Sequence, residues 1–190
     1  HELRTPLTIM RGQIEEALRS GRFSPEQQRL LVGLLEENTG LQKISGNLLL
    51  LARFDTGKSQ LKRVPVDLSA VLLEAREDAE LLAASRHLTV SGVIAPGVQV
   101  SGDAVMLRRV ALNLIDNAVK FNREGGRLRL ALRMNAGEAV ITVANTGPGI
   151  PPERQGSRFQ RFYPADADRN RDTGGSGLGL SLCRDIVTAH

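Results

Sequence analysis

The first eight residues, HELRTPLT, bring together groups that could carry out nucleophilic chemistry on a helix. His1 and Thr5 recur at helical spacing, nearly opposite an apolar stripe made of Leu3, Leu7, Met10, Ile14 and Leu18. We therefore expect His1 to be exposed. An exposed histidine is usually an ordinary surface residue, but Glu2 beside it can accept the proton from one ring nitrogen while the other nitrogen attacks. Pro6 removes a backbone donor and is expected to open the helix near His1.

The segment ALNLIDNAVKFN, residues 111–122, places polar groups on one face of a second predicted helix. Asn113, Asn117 and Lys120 fall at i, i+4 and i+7, whereas the apolar residues between them face elsewhere. Asparagines in this arrangement are often no more than a solvated face. Amide oxygens are nevertheless acceptable ligands for Mg²⁺, and a lysine can bind phosphate, so the spacing also fits a metal-phosphate site.

Two glycine-rich runs follow, NTGPGIP at 145–151 and GGSGLGL at 174–180. The second run opens a predicted helix, whose bare backbone amides form a favourable site for an anion. Gly147 and Gly149 would let the backbone pass close to a flat ligand just after a strand. Either run alone could be a simple turn, but both runs in this order favour a nucleotide.

The elements that position these residues fall into two regions. The first helix ends near Ser20, and Ser24, Pro25 and Gln27 predict the start of a second helix that runs to about Phe54. Its apolar positions, including Leu34, Leu41 and Leu48, approach a seven-residue repeat. A hairpin of two such helices cannot bury both apolar stripes alone, which predicts a second copy and a dimeric four-helix bundle.

The polar stretch from Asp55 to Lys62 marks a domain boundary, with domains at 1–57 and 62–190. Beyond it, periodicity predicts an edge strand in LKRVPVD, helices at 68–85, 104–121 and 178–190, and strands at 87–94, around Val98, at 127–134 and at 138–143. Residues 146–175 are expected to form a loop. This mixed order indicates an α+β sandwich, with one sheet covered on one face by helices.

Composition excludes several classes of function. The chain has 190 residues with one cysteine, so it cannot form an intrachain disulfide, and Cys183 is expected to be a buried filler. Its net charge is +4, but aromatic residues make up only 3%, which argues against nucleic-acid binding. It lacks the apolar run of about 18 residues that a membrane helix needs, so we expect membrane attachment only through segments outside this chain.

In combination, HELRTPL, NLIDNAVKF, NTGPGI, RFQRFY and GGSGLGLSL resemble the H, N, first glycine, phenylalanine and second glycine boxes of the sensor histidine kinases. The resemblance implies a homodimer that uses ATP and Mg²⁺, phosphorylates a histidine and passes the phosphoryl group to the receiver domain of a response regulator. It also implies the ATP-binding fold shared with gyrase, Hsp90 and MutL, with the final strands of that fold missing here. The whole protein would be an inner-membrane sensor, and this chain its cytoplasmic portion.

The same resemblance implies a role for each matching residue. His1 would accept the phosphoryl group with Glu2 as base, and Glu2 with Thr5 resembles the ExxT element that assists dephosphorylation of the regulator. Asn117 would ligate Mg²⁺, and Asn113 and Lys120 would meet metal and phosphates. The remaining nucleotide-binding positions would be Phe121, Asn145, Gly147, Gly149, Ile150, Gly175, Gly177, Leu178, Gly179 and Leu180.

The sequence departs from the family pattern at three places. Asn145 stands where the family usually has an aspartate for the adenine amine, so we expect weaker discrimination against GTP than in an Asn145→Asp variant. Residues 156–158 are less apolar than usual before Phe159, and Pro164 replaces a common arginine. Two alternatives remain: an ATPase of the gyrase and Hsp90 type, disfavoured because Asn113 replaces the water-activating glutamate, and a nucleotide-binding scaffold without catalysis.

Overall fold

The computed structural model describes residues 2–57, 61–163 and 176–190. The chain divides into two compact units, His1–Thr56 and Gly57–His190. Each unit is described by itself below. Among the described residues, no helix is both long enough and apolar enough to cross a membrane.

The first unit is a pair of packed helices, α1 (Arg4–Arg19) and α2 (Pro25–Asp55). At the start of α2 the Ser24 hydroxyl accepts a hydrogen bond from the Gln27 backbone N–H at 3.3 Å. The Gln27 side chain accepts one in return from the Ser24 N–H at 2.9 Å. This capping box satisfies two backbone donors that the helix cannot pair internally, and Pro25 occupies the first helical position. The predicted start of this helix is confirmed.

Much of the apolar surface of this unit stays exposed in the single chain. Ile14 is buried, whereas Leu3 is 68% exposed and Leu30 is 66% exposed. Further large apolar side chains of the unit are also exposed, at Ile9, Met10, Val32, Leu34, Leu41, Leu48 and Leu49. The hairpin therefore carries the uncovered apolar surface that the sequence predicts for one half of a bundle.

The second unit is an α+β domain, which confirms the predicted fold class. Its elements are β1 (Val64–Asp67), α3 (Leu68–Ala84), β2 (Thr89–Ser91), β3 (Gln99–Gly102), α4 (Ala104–Lys120), β4 (Arg127–Asn135), β5 (Glu138–Asn145), α5 (Pro152–Gln155) and α6 (Gly179–Ala189). Strand β4 alternates as expected, because Leu128, Leu130 and Leu132 are buried, whereas Arg127, Arg129 and Arg133 are exposed.

The strands differ from the expected single sheet, because among the described residues their hydrogen bonds form two. Strands β1 and β3 pair antiparallel, and a separate sheet has the order β2-β4-β5, with β2 parallel and β5 antiparallel to β4. The chain leaves β2 at Gly92, where φ is +138° and a Cβ would lie 1.7 Å from the Leu130 carbonyl oxygen. After one isolated bridge from Ile94 to Leu132, the turn at Pro96 and Gly97 directs β3 to β1 instead.

Helix α4 lies at the centre of this unit and contacts α3, α6 and β5. Its buried residues Leu107, Ala111 and Ile115 belong to the core formed with α3 and the buried face of β4. Asp103 fixes its beginning, because one carboxylate oxygen accepts from the Val105 and Met106 backbone N–H groups at 3.0 and 3.2 Å. The residues on the rest of its surface are thereby held at defined positions.

Candidate nucleotide-binding site

Two asparagines of α4 meet the first residue of α6. A Cβ placed on Gly179 would lie 3.9 Å from Asn113 Oδ1 and 4.0 Å from Asn117 Nδ2. The spacing of four residues puts both amides on one side of α4, and the contact of α4 with α6 brings the glycine to them. Two positions predicted from the N box and one predicted from the second glycine run therefore lie together.

Asn113 lies deep in this arrangement. It is only 8% exposed, and its Nδ2 has no hydrogen-bond partner among the described residues. A buried amide donor without a partner costs free energy, roughly 1 to 3 kcal/mol, so it marks a place where a polar ligand or water would be stabilised.

Cys183 of α6 is packed against the same part of α4. Its Sγ lies 3.8 Å from the Val110 carbonyl oxygen. Burial raises the pKa of the Cys183 thiol to about 11, although the neighbouring Asn113 side chain and the Arg109 guanidinium partly offset this increase. The thiol is therefore neutral at physiological pH, and Cys183 is the buried filler that the sequence predicts.

Lys120 already has an anionic partner. Its Nζ lies 3.1 Å from Asp116 Oδ2, one helical turn earlier, and both side chains are partly buried. A phosphate at Lys120 would have to share the ammonium with this carboxylate or displace it. Asp116 is thus a further charged group beside the predicted site residues.

The end of β5 meets the end of α4 through Asn145. The Asn145 side chain donates from Nδ2 to the Phe121 carbonyl oxygen at 3.1 Å, and the Phe121 side chain is half-buried. An aspartate at this position could not donate such a bond. The bond places Nδ2 on the α4 side of the amide and so leaves Oδ1 as its other polar edge.

Gly147 is required here for a reason other than close approach to a ligand. A Cβ on Gly147 would lie 1.7 Å from the Phe121 carbonyl oxygen and 2.7 Å from Asn145 Nδ2. Only glycine fits between the end of α4 and the loop. Gly149 has open space around its Cβ position, and Ile150 is 50% exposed, with its carbonyl oxygen accepting from the Gln155 side chain at 3.0 Å.

The second glycine run lies against the phenylalanine box. Gly177 has φ +66°, and its carbonyl oxygen accepts from the Phe162 backbone N–H at 3.1 Å. A Cβ on Gly177 would lie 2.9 Å from the Tyr163 backbone nitrogen, so a side chain is excluded there. Leu178 is fully buried and Leu180 is half-buried at the start of α6. The two motifs, 14 or more residues apart in sequence, are thus joined by backbone contacts.

His1 and Gly175 lie outside the described residues. Glu2 and Thr5 are exposed in the first unit, with Thr5 in the first turn of α1. Their assigned roles remain predictions.

Sequence reasoning missed three polar residues that hold the C-terminal end of α4, namely Arg86, Asn122 and Thr146. Asn122 is 5% exposed and accepts from the Thr146 hydroxyl at 3.1 Å. Arg86 donates to carbonyl oxygens at the end of α4. The available signal was a polar residue, Asn122, directly after a helix that ends in a predicted ligand-binding motif.

Each of the two units contains a match to a known protein family. Residues 1–57 match the family described as "His Kinase A (phospho-acceptor) domain", and residues 102–190 match "Histidine kinase-, DNA gyrase B-, and HSP90-like ATPase". A solved structure of the mycobacterial sensor histidine kinase MprB is 32% identical, and the matched region covers 67% of this chain and 80% of that chain with a TM-score of 0.55. The chain belongs to the histidine kinase family.

Two further relatives of this histidine kinase chain match along its whole length. The phosphate regulon sensor protein PhoR of Pseudomonas aeruginosa is 34% identical over 100% of the chain and 43% of its own length. The structure of full-length ShkA in complex with AMPPNP gives a TM-score of 0.80 at 28% identity and covers 100% of the chain and 39% of ShkA. The chain thus spans about two fifths of the length of such relatives. Its second unit contains an ATP-binding domain of the histidine kinase type.

Replacing Gly147 by alanine should destabilise the second unit even without nucleotide. The new Cβ would collide with the Phe121 carbonyl oxygen, and overpacking of this kind costs about 1 to 3 kcal/mol. Gly149→Ala, in the same loop but with open space, is the matched control and should change the free energy of unfolding by less than about 0.5 kcal/mol. Urea unfolding of both variants measures this, and equal stabilities would contradict the packing described for Gly147.

Stability should fall in alkali because of Cys183. The thiol has an ordinary pKa of 9.0 and a pKa of about 11 in the folded protein, so the unfolded chain deprotonates first as the pH rises. The contribution is complete below pH 9 and is lost between pH 9 and about 11, at up to about 1.4 kcal/mol per pH unit. Urea unfolding of wild type and Cys183→Ala across this range should show the extra slope only in wild type; the same slope in both would contradict it.

Proposed function

We propose that this chain is the phosphotransfer core of a sensor kinase, which phosphorylates His1 from ATP and passes the phosphoryl group to an aspartate of a response regulator. The observation that carries the proposal is the meeting of Asn113, Asn117 and Gly179 beside the Asn145–Phe121 contact. The match of residues 1–57 to the phosphoacceptor domain supports a histidine acceptor on the same chain.

The residues at this place suit ATP and Mg²⁺. The unpartnered Nδ2 of buried Asn113 offers a donor, and the backbone at the start of α6 offers amides and the positive end of the helix dipole to phosphate. Amide oxygens are acceptable ligands for Mg²⁺, so Asn117 would hold the metal, with Asn113 and Lys120 near metal and phosphates. When bound, ATP supplies the phosphoryl group and Mg²⁺ neutralises its charge.

His1 would act as the nucleophile. One imidazole nitrogen attacks the γ-phosphorus, the bond between this phosphorus and the bridging oxygen of ATP breaks, and ADP leaves with that electron pair. The carboxylate of Glu2 takes the proton from the other ring nitrogen. This phosphoryl transfer needs no oxidant or further reactant.

The response regulator would accept the phosphoryl group, and the same chain would also assist its dephosphorylation. Transfer moves the phosphoryl group from the imidazole to a receiver aspartate. Thr5 follows His1 by four residues in sequence and lies in the first turn of α1, where with Glu2 it would position a water to dephosphorylate the same regulator. We therefore include phosphatase activity toward the regulator in the proposal.

Dimerisation follows from the first unit. Its exposed apolar residues, such as Leu3, Leu30 and Leu41, would be buried against a second copy in a four-helix bundle. The relatives include a sensor protein, which supports attachment to the inner membrane through segments outside this chain and a cytoplasmic place for the core.

Phosphorylation should be lost when His1 is replaced by glutamine, because an amide nitrogen is not nucleophilic and cannot accept the phosphoryl group. Purified chain incubated with γ-labelled ATP should acquire label that is lost in acid and retained in base. His87→Gln, which changes an exposed histidine of the second unit, is the matched control and should label normally. Nucleotide affinity should be unchanged in both variants.

The same experiment separates the alternatives. Label that persists in His1→Gln would contradict the assignment of the acceptor. Release of free phosphate without labelled protein would indicate an ATPase. ATP binding with neither labelled protein nor free phosphate would indicate a scaffold.

A further inference from the structure

The last turn of α4 and the residues after it are held from outside the helix. Four consecutive carbonyl oxygens, those of residues 119–122, each accept a hydrogen bond from a side chain of another element. Arg86 supplies three of these bonds: Nη1 donates to the Val119 and Lys120 oxygens, both at 2.7 Å, and Nη2 donates to the Asn122 oxygen at 3.1 Å. The fourth oxygen, that of Phe121, receives the Asn145 amide.

Arg86 is well suited to this place. It follows α3 in the connection to β2, and its own carbonyl oxygen accepts from the Gly125 N–H at 3.2 Å, so its backbone is tied to the segment after α4. A planar guanidinium can donate to several oxygens at once, whereas an ammonium is a point donor. Its positive charge also lies at the negative end of the α4 dipole.

Asn122 fastens the same segment to β4 and β5. Its Oδ1 accepts from the Arg123 N–H at 3.0 Å and from the Thr146 hydroxyl at 3.1 Å, and its Nδ2 donates to the Arg127 carbonyl oxygen at 3.0 Å. Phe121 lies between Lys120 and Asn122, whose carbonyl oxygens both accept from Arg86. The Phe121 carbonyl is therefore fixed relative to the end of β5. Asn145 is at that end.

We infer that Arg86 is a positioning residue for nucleobase selection, acting through the Phe121 carbonyl and Asn145. With that carbonyl fixed, the Asn145 amide keeps Nδ2 on the α4 side and offers Oδ1 as an acceptor to the base. Turning the amide over would lose the bond to Phe121 and set two oxygens together. The site would then prefer a purine that presents an amine over one that presents a carbonyl, although it lacks the family's aspartate. This inference rests on the proposed nucleotide site.

The decisive measurement is the ratio of the dissociation constants of GTP and ATP, obtained by calorimetry with Mg²⁺. Arg86→Met removes all three bonds, frees the Phe121 carbonyl to move and should lower the GTP-to-ATP ratio roughly tenfold. Arg86→Lys keeps the charge but not the fork, so its ratio should lie between those of wild type and Arg86→Met. Arg76→Met is the matched control, because Arg76 is a half-exposed arginine of the same helix α3 whose guanidinium pairs with Glu80 one turn away rather than with the end of α4.

A second arm tests the route through Asn145. An aspartate at position 145 cannot donate to the Phe121 carbonyl, so Arg86→Met should change the ratio far less in an Asn145→Asp background than in wild type. A merely structural role for Arg86 would weaken ATP and GTP equally and leave the ratio unchanged in both backgrounds.

The outcomes are distinguishable. A wild-type ratio in both Arg86→Met and Arg86→Lys overturns the inference, as does an equal change of the ratio with and without Asn145→Asp. If Arg86→Met does not fold, the ratio of Arg86→Lys decides: a wild-type ratio overturns the inference and a lowered ratio supports it. If wild type itself binds neither nucleotide, the proposed function fails, and this inference fails with it.

Discussion

The packing of α4 between the core on one side and α6 on the other is the constraint on which the second unit depends. The helix must bury Leu107, Ala111 and Ile115, and this fixes its rotation about its own axis. With rotation fixed, Asn113 and Asn117 can only face the start of α6. One packing requirement therefore both stabilises the domain and places the polar groups of the candidate site.

Both ends of α4 are held by polar contacts from distant parts of the chain. At its beginning, the Asp103 side chain caps the helix and also accepts from the Lys62 N–H at 3.2 Å. At its end, where the regular helical hydrogen bonds run out, Arg86 and Asn145 supply donors to the carbonyl oxygens of residues 119–122. The same set of hydrogen bonds therefore satisfies the backbone at this terminus and orients Asn145, the residue that would contact the base.

The sequence predicted the features that depend on periodicity and on local signals. The capping box at Ser24, the alternation along β4 and the glycine-led start of α6 were all legible, because each is determined within a few residues. The division of the strands into two sheets was not, since it depends on the departure of the chain at Gly92. The role of Arg86 could not be predicted for the same reason, because the three carbonyl oxygens that it contacts lie more than thirty residues away in sequence. The role of Gly147 could not be predicted either, because the group that excludes a side chain there is the distant Phe121 backbone carbonyl rather than a ligand.

The central claim is that a nucleotide binds where α4, the end of β5 and the start of α6 meet. Hydrogen–deuterium exchange of the chain, with Mg²⁺ and with or without a non-hydrolysable ATP analogue, tests this directly. The account predicts that the analogue slows exchange at residues 121–122, 145–149 and 177–182. The first unit should be much less affected. Unchanged exchange in all three segments at saturating analogue, or protection confined to other parts of the chain, would contradict it.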